Sequence, residues 1–324
     1  GWSTPLSIEL ALAYDAVHYY DARGRLVRLP VLPRGASHFD AREKITVRHH
    51  EGGCWSIEST DGLRHEFPAP VPGQWRLPLA RMADRNGNAI TLRYPAYDAT
   101  GADGIAPRPL GLTDSAGRQL RFEWSAEEGA PDRLLLAIHL EPRVLDGVRH
   151  AGGVLARYAY GTEGNEAGDP RANLVEAADA LGGTARYRYR HHLMVAYATR
   201  NGFTHHQQWS RHDAGGRVVR TWTDTPGLLD TRFDYDLGRR TTHVTDALGR
   251  RSSYEYNAAH EVVAIPEPGP DGRPVRTETR LDAAGNPEEA RDALGRATRW
   301  RFDARGNLLA VTDAAGATTR LAYG

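Results

Sequence analysis

The chain has 324 residues, 40% hydrophobic and 25% charged, an ordinary balance for one large all-β domain or two smaller ones. Its 41 basic residues match its 41 acidic ones, so it lacks the positive excess that non-specific nucleic-acid or anionic-membrane binding needs. A single cysteine, Cys54, excludes an intramolecular disulfide, and no run approaches the roughly eighteen apolar residues of a membrane-crossing helix. Glycine, at 34 residues, is abundant, and there are 19 prolines, which suits a protein built of many turns. Lys44 is the only lysine, as well explained by genomic codon bias as by function. No signal-peptide pattern opens the sequence. It starts at Gly1-Trp2-Ser3 without Met and stops after Tyr323-Gly324, and we expect a segment of something longer.

Residues 1 to about 80 differ from the rest. Leu6 to Leu12 reads as a strand. Asp21-Ala22-Arg23-Gly24-Arg25 reads as a turn leading into Leu26–Leu29. Lys44 to His50 and Trp55 to Thr60 read as a hairpin around Glu51-Gly52-Gly53, and Asp61-Gly62 is a tight hairpin signal. From Met82 a repeated phrase takes over. Asp84-Arg85-Asn86-Gly87-Asn88 leads into Ala89–Tyr94, and Asp114-Ser115-Ala116-Gly117-Arg118 into Gln119–Trp124, with a loop from Ala96 to Pro109 between them. Leu134 to Leu140 is nearly all apolar; Gly129-Ala130-Pro131 and Glu141-Pro142 bound it closely, which favours a strand over a helix. A polar loop, Gly161 to Arg171, separates Val154–Tyr160 from Asn173–Ala177, and a Pro-rich loop, Pro266 to Pro274, interrupts the last repeats.

The phrase is clearest at the end, where Asp282, Asp292, Asp303 and Asp313 recur at nearly constant spacing, each followed by Gly three residues on. Asp at the first turn position accepts a hydrogen bond from the N–H two residues on. Gly at the fourth takes φ > 0 without a Cβ penalty. The pattern predicts a type I turn closed by a glycine bulge. Between turns, in Thr298-Arg299-Trp300-Arg301-Phe302, aromatics and arginines alternate, the period of a strand with one covered face. Turn plus strand gives a period near ten residues and an all-β antiparallel meander.

These residues resemble the YD-repeat, or Rhs, family. Phe233-Asp234-Tyr235-Asp236 and Tyr254-Glu255-Tyr256-Asn257 look like its Tyr-Asp strand ends; Asp246–Arg250 and Asp292–Arg296 look like its turn. Tyr187–Arg190, His192–Val195, Thr199–Phe203 and Arg220-Thr221-Trp222 look like phrases of its bacterial toxin branch, which sets them apart from teneurins. Gly1-Trp2-Ser3 and Asp21–Arg25 resemble the segment before the repeats. The resemblance implies residues 1–80 as that segment and 81–324 as a continuous wall of repeats, curved and spiralling into part of a hollow cocoon-like shell. It implies a secreted bacterial toxin, made in the cytoplasm and delivered to competing cells by type VI secretion. The partners implied are the rest of the shell and its C-terminal toxin, with a spike protein and chaperone meeting regions outside this chain; no nucleic acid or membrane contact is expected. The alternative is a carbohydrate- or receptor-binding module on Tyr-rich faces. The family's self-cleaving motif carries Asp-Pro pairs; Asp169-Pro170 is the only such pair here and lacks that context.

Direct chemical signals are sparse. His49-His50, His191-His192 and His205-His206 suggest metal, but neighbours on a strand point to opposite faces, so neither member of a pair helps the other hold one ion. Cys54 has His49, His50 and His65 nearby in sequence, which suggests a thiol dyad; a buried, inert thiol is the plainer reading. The many Asp residues sit at turn starts and match no calcium-loop spacing. There is no nucleophile elbow, P-loop or dinucleotide fingerprint. We assign no catalytic, cofactor-binding or metal residue and no cofactor. Leu6–Leu12 and Ala317–Tyr323 would be sheet edges unless another segment pairs with them.

Overall fold

The computed structural model describes residues 6–95, 108–125, 134–145, 147–268 and 274–323. Gly1-Trp2-Ser3, most of the Ala96–Pro109 loop, the Gly129–Pro131 turn and residues 269–273 lie outside the described residues. Among the described residues there is no helix, and every strand pairing is antiparallel. The chain divides into two compact units, Gly1–Tyr160 with Glu176–Gly183, and Gly161–Val175 with Thr184–Gly324.

The first unit has a core between two layers. Its smaller layer is a four-stranded sheet in the order Leu26–Leu29, Val17–Tyr20, Glu9–Leu12, Arg76–Pro78. The opening strand is shorter than Leu6–Leu12 and is no edge. It lies inside the sheet, with Leu10 opposite Tyr19 on one side and Leu77 on the other. The meander is broken here. Arg64–Phe67 skips Arg76–Pro78 and pairs with Arg81–Ala83, so the larger layer runs on through Ala89–Arg93, Gly111–Asp114, Gln119–Trp124, Leu135–Leu140 and Gly153–Gly161. The inward parity of both layers is apolar. Leu10, Leu29 and Leu77 from the small sheet share one cluster with Val47, Ile57 and Phe67 from the large one, all at 1% exposure or less. Each such side chain contributes roughly 1.5–3 kcal/mol by leaving water.

The second unit is a succession of strands from Thr184–Arg190 to Thr318–Arg320, each pairing with the next along the chain. Its last strand is Thr318–Arg320, shorter than Ala317–Tyr323. The ends of the Pro-rich loop are strand: Pro266 lies opposite Arg276 and Pro268 opposite Pro274. Side chains separate by parity. Tyr187, Tyr197 and His205 face one another across strands on one side, as do Phe233 with Val244 and Trp300 with Val311. The opposite parity carries ion pairs: Arg276 with Glu255 at 2.7 Å, and Glu289 with both Arg291 at 2.8 Å and Arg299 at 2.7 Å. Among the described residues of this unit the buried apolar side chains are Leu174 and three alanines, 196, 264 and 310. The aromatics on the covered parity, such as Tyr187, Phe233 and Trp300, stay half-buried.

The turns that join these strands need glycine for its backbone. Gly295 sits at φ 77°, and a Cβ built there meets nothing within 4 Å. The cost of a side chain at this position is therefore conformational alone. We expect Gly295→Val to destabilise the chain by about 1–3 kcal/mol. A urea midpoint equal to the parent's would show that the turn does not depend on the left-handed conformation.

Candidate functional site

The repeated chemical device of the chain is the turn itself. In Asp292–Arg296, Gly295 N–H donates to the Asp292 carbonyl at 2.9 Å and Asp292 N–H to the Arg296 carbonyl at 3.0 Å. The Asp292 carboxylate accepts the N–H groups of Leu294 and Arg296, both at 2.9 Å, and Nε of Arg296 at 2.6 Å. Asp246 does the same with Leu248 and Arg250, and Asp303 with Arg305 and Asn307. The sequence reading anticipated the bond to the second residue on. It missed the fifth position, whose backbone and side chain both return to the carboxylate. The signal was present: Arg25, Asn88, Arg118, Arg250, Asn286, Arg296 and Asn307 all follow the turn glycine. At Asn257–Glu261 the roles are exchanged, with Asn257 Nδ2 donating to Glu261 and His260, φ 61°, standing where glycine would.

These bonds set the carboxylates' proton affinity. Partial burial pushes Asp246 and Asp292 up, but their arginine side chains and the backbone N–H groups together outweigh it and hold both below the ordinary carboxylate value. Asp303 is lowered chiefly by the N–H and amide of Asn307.

The histidine pairs have structural partners. His49 Nδ1 donates to the Leu32 carbonyl at 2.8 Å, and its ring stacks on Trp55 at 4.0 Å. His50 lies 2.8 Å from Ser56 Oγ. His205 stacks on Tyr197, while His206 meets Asp224 at 2.6 Å and stacks on Trp222. His191 and His192 are not strand neighbours at all. They form the turn between Thr184–Arg190 and Leu193–Ala198, at φ 48° and 63°. Cys54 is half-buried, not fully buried. His65 is turned to Tyr19, whose hydroxyl lies 3.0 Å from Nδ1; burial pushes this imidazole down and, with the nearby Asp21, pushes the Tyr19 hydroxyl up to about 12. His65 Nε2 has no partner among the described residues. Nowhere among them do three His, Cys, Asp or Glu side chains gather as for one metal ion.

A connected polar cluster lies in the second unit, where the Gly161–Arg171 loop meets the histidine turn. Gly164, φ 81°, comes so close to the turn that a Cβ would stand 2.0 Å from the Tyr189 carbonyl oxygen. That approach lets His191 N–H donate to the Gly164 carbonyl at 2.7 Å. Asp169 accepts from Arg171 and from His192 Nε2 at 2.9 Å; Arg171 first, then His192, hold its carboxyl well below the usual range. His192 Nδ1 lies 2.9 Å from Asn173 Oδ1, and Asn173 Nδ2 donates to Asn165 Oδ1 at 2.7 Å. Beside this cluster opens a pocket of about 700 Å³ lined by Asn165, Arg190, His191, Gln208, Trp209 and His212, among others. The sequence reading had placed none of the pocket.

An all-β repeat protein with carboxylate-capped turns is the class these features define. The family model of the RHS repeat matches residues 282–323. Toxin protein Tse5 of Pseudomonas aeruginosa is 29% identical over 91% of this chain and 23% of its own length. The double-stranded DNA deaminase toxin A of Burkholderia cenocepacia is 25% identical over 80% of this chain and 16% of its own. The probable deoxyribonuclease RhsB of Dickeya dadantii is 30% identical over 80% and 15%. This chain thus spans less than a quarter of the length of each of these relatives. Among solved structures, the crystal structure of TcdB2-TccC3-TEV matches 91% of this chain and 18% of its own, with 12% identity and a TM-score of 0.49. Residues 282–323 are thus an RHS repeat, and the likeness to Rhs-type toxins runs over 80–91% of the chain.

The turn carboxylates have a consequence for acid stability. Their folded proton affinity is below that of the unfolded chain, so the stabilisation is present above the ordinary Asp value of 3.8 and is lost as the pH falls through and below it. We expect the urea midpoint to drop between about pH 5 and about pH 3, and the drop to be smaller in the double variant Asp246→Asn, Asp292→Asn. An unchanged acid response in that variant would remove these turns as its source.

Proposed function

We propose that this chain is a structural segment of a toxin shell: residues 1–80 precede the repeats, and 81–324 form part of a wall that encloses a C-terminal toxin. The observation that carries the reading is the second unit's sheet, with strands joined in sequence, turns capped by Asp, and one parity aromatic while the other is ion-paired. Such a unit extends by adding hairpins and needs no catalytic residue. The names of the relatives support the toxin context, since Tse5 and the deaminase toxin are both named as toxins. On this reading the protein is made in the bacterial cytoplasm and delivered to competing cells by type VI secretion. Its partners are the remaining shell and the enclosed toxin, with spike protein and chaperone engaging other regions.

The second reading is a carbohydrate- or receptor-binding module. The pocket beside Arg190, Gln208 and Trp209 favours it, since planar amides and indole beside a guanidinium suit a polar ligand.

Limited proteolysis of the full-length parent, read by mass spectrometry, separates the two. We expect the polypeptide beyond the repeats to be protected together with them. Digestion of that segment at the rate of an unfolded chain, with the repeats surviving, would overturn enclosure and bring the binding module forward. The chain itself should turn over no peptide, nucleic-acid or glycan substrate. An activity that vanishes on replacing one Asp or His would refute this.

A further inference from the structure

The pocket of the second unit is walled by donors that the fold leaves unspent. Among the described residues its lining includes Arg190 and no Asp or Glu. Arg190 ends the strand Thr184–Arg190, and its exposed side chain makes no ion pair or hydrogen bond with the described residues. Gln207 and Gln208, on the strand Thr204–Trp209, and His212 beyond it are likewise without a side-chain hydrogen bond there. Trp209 differs: its Nε1–H is spent on the Met194 carbonyl at 2.7 Å, which fixes the indole as part of the wall. Carboxylates stand close by in the chain but outside the lining. Asp169 is ion-paired with Arg171, Asp213 with Arg211 at 2.9 Å, and Glu166 Oε1 lies 3.3 Å from His191 Nδ1. The frame is held by the backbone, with His191 N–H donating to the Gly164 carbonyl at 2.7 Å and Ser210 N–H to the Arg217 carbonyl at 2.8 Å. A site built in advance costs a ligand little ordering.

We propose that this pocket binds a small molecule carrying a carboxylate, with Arg190 holding the acid group, Gln207 and Gln208 its polar body, and Trp209 packing against its apolar face. The inference rests on the second reading above, in which the pocket holds a ligand, and it names that ligand's chemistry. A guanidinium that no carboxylate of the chain neutralises presents a planar fork of donors, which matches the two oxygens of a ligand carboxylate. The amides beside it both donate and accept, so they serve hydroxyl or amide groups on the rest of the molecule. An indole face covers apolar surface. The volume, about 700 Å³, is that of a small-molecule site. A neutral ligand of the same shape would leave the guanidinium to water and forgo the charge-assisted bond. Because Arg190 is exposed, salt screens the attraction, and the preference for an acid weakens as ionic strength rises. An acidic sugar and an acidic amino acid share this chemistry and differ in what they offer the amides.

The test is isothermal titration of the whole chain with sodium glucuronate against glucose, and with N-acetylaspartate against N-acetylasparagine. In at least one pair we expect the acid to bind roughly tenfold more tightly than its neutral counterpart, as for one charge-assisted hydrogen bond. The pair that shows the preference separates the sugar from the amino acid. Added salt should narrow the gap. Arg190→Gln changes an exposed side chain that the fold does not use, so it should keep the parent's urea midpoint and lose the preference. Arg305→Gln, at an exposed turn position outside the pocket, should leave the preference intact. Neutral ligands bound as tightly as both acids would overturn the carboxylate and leave the second reading standing. No binding of any of these probes would overturn the inference and the pocket's part in that reading together. A preference that survives Arg190→Gln would overturn the role given to Arg190.

Discussion

The recurring reversal of this chain, as at Asp246, Asp292 and Asp303, is held by one carboxylate that collects the loose N–H groups of its turn. A hairpin turn leaves backbone donors pointing away from the ladder, and water would otherwise have to serve them. At Asp292 the two free donors, Leu294 and Arg296, meet one oxygen, and the other oxygen takes the Arg296 side chain. The turn is thereby complete in itself and needs nothing from neighbouring elements. Strand length then follows from turn spacing, and the sheet from strand length. In the second unit, where buried apolar side chains are few, this local completeness carries much of what a core supplies elsewhere.

The two units show what happens with and without that help. In the first, Leu10, Leu77, Ile57 and Phe67 sit at 1% exposure or below, inside a core shared by two layers. Arg76 and Glu9, 67 residues apart in sequence, join its small sheet across that distance. In the second, the gain comes from adjacent strands: Tyr197 on His205 at 4.5 Å, His206 on Trp222 at 5.2 Å, and Glu289 between two arginines. Cross-strand pairs of this kind contribute roughly 0.2–1 kcal/mol each, so they act by number.

Local pattern was legible wherever the deciding contacts lie within a few residues. Asp246–Arg250 and its relatives could be read because the carboxylate, the left-handed glycine and the flanking alternation all fall within one repeat. The pairing of Arg76–Pro78 with Glu9–Leu12 could not, because short apolar strands carry no address for a distant partner. The His191-His192 turn was misread as strand for a different reason. Two left-handed non-glycine residues in succession are disfavoured by themselves, and what holds them is the loop at Gly164, Glu166 and Asp169, invisible in a local window. Cys54 and its neighbouring histidines illustrate the converse, since closeness in sequence put those rings on Leu32, Ser56 and Tyr19 instead of the thiol.

A sheet whose strands pair only with their sequence neighbours is energetically close to one-dimensional. Each hairpin adds its own turn bonds and the pairs it makes with the strand before it. Variation in one repeat is then absorbed locally, as at Asn257–Glu261, where an amide and a carboxylate have traded places and His260 occupies the left-handed position without breaking the run. The same logic limits what one repeat can do. Half-buried aromatics such as Phe233 and Trp300 lie opposite Val244 and Val311 on the neighbouring strands. A specific polar site therefore needs an insertion that leaves the plane of the strands. The Gly161–Arg171 loop is such an insertion, and it is where the second unit gathers its carboxylates, amides and histidines into one network.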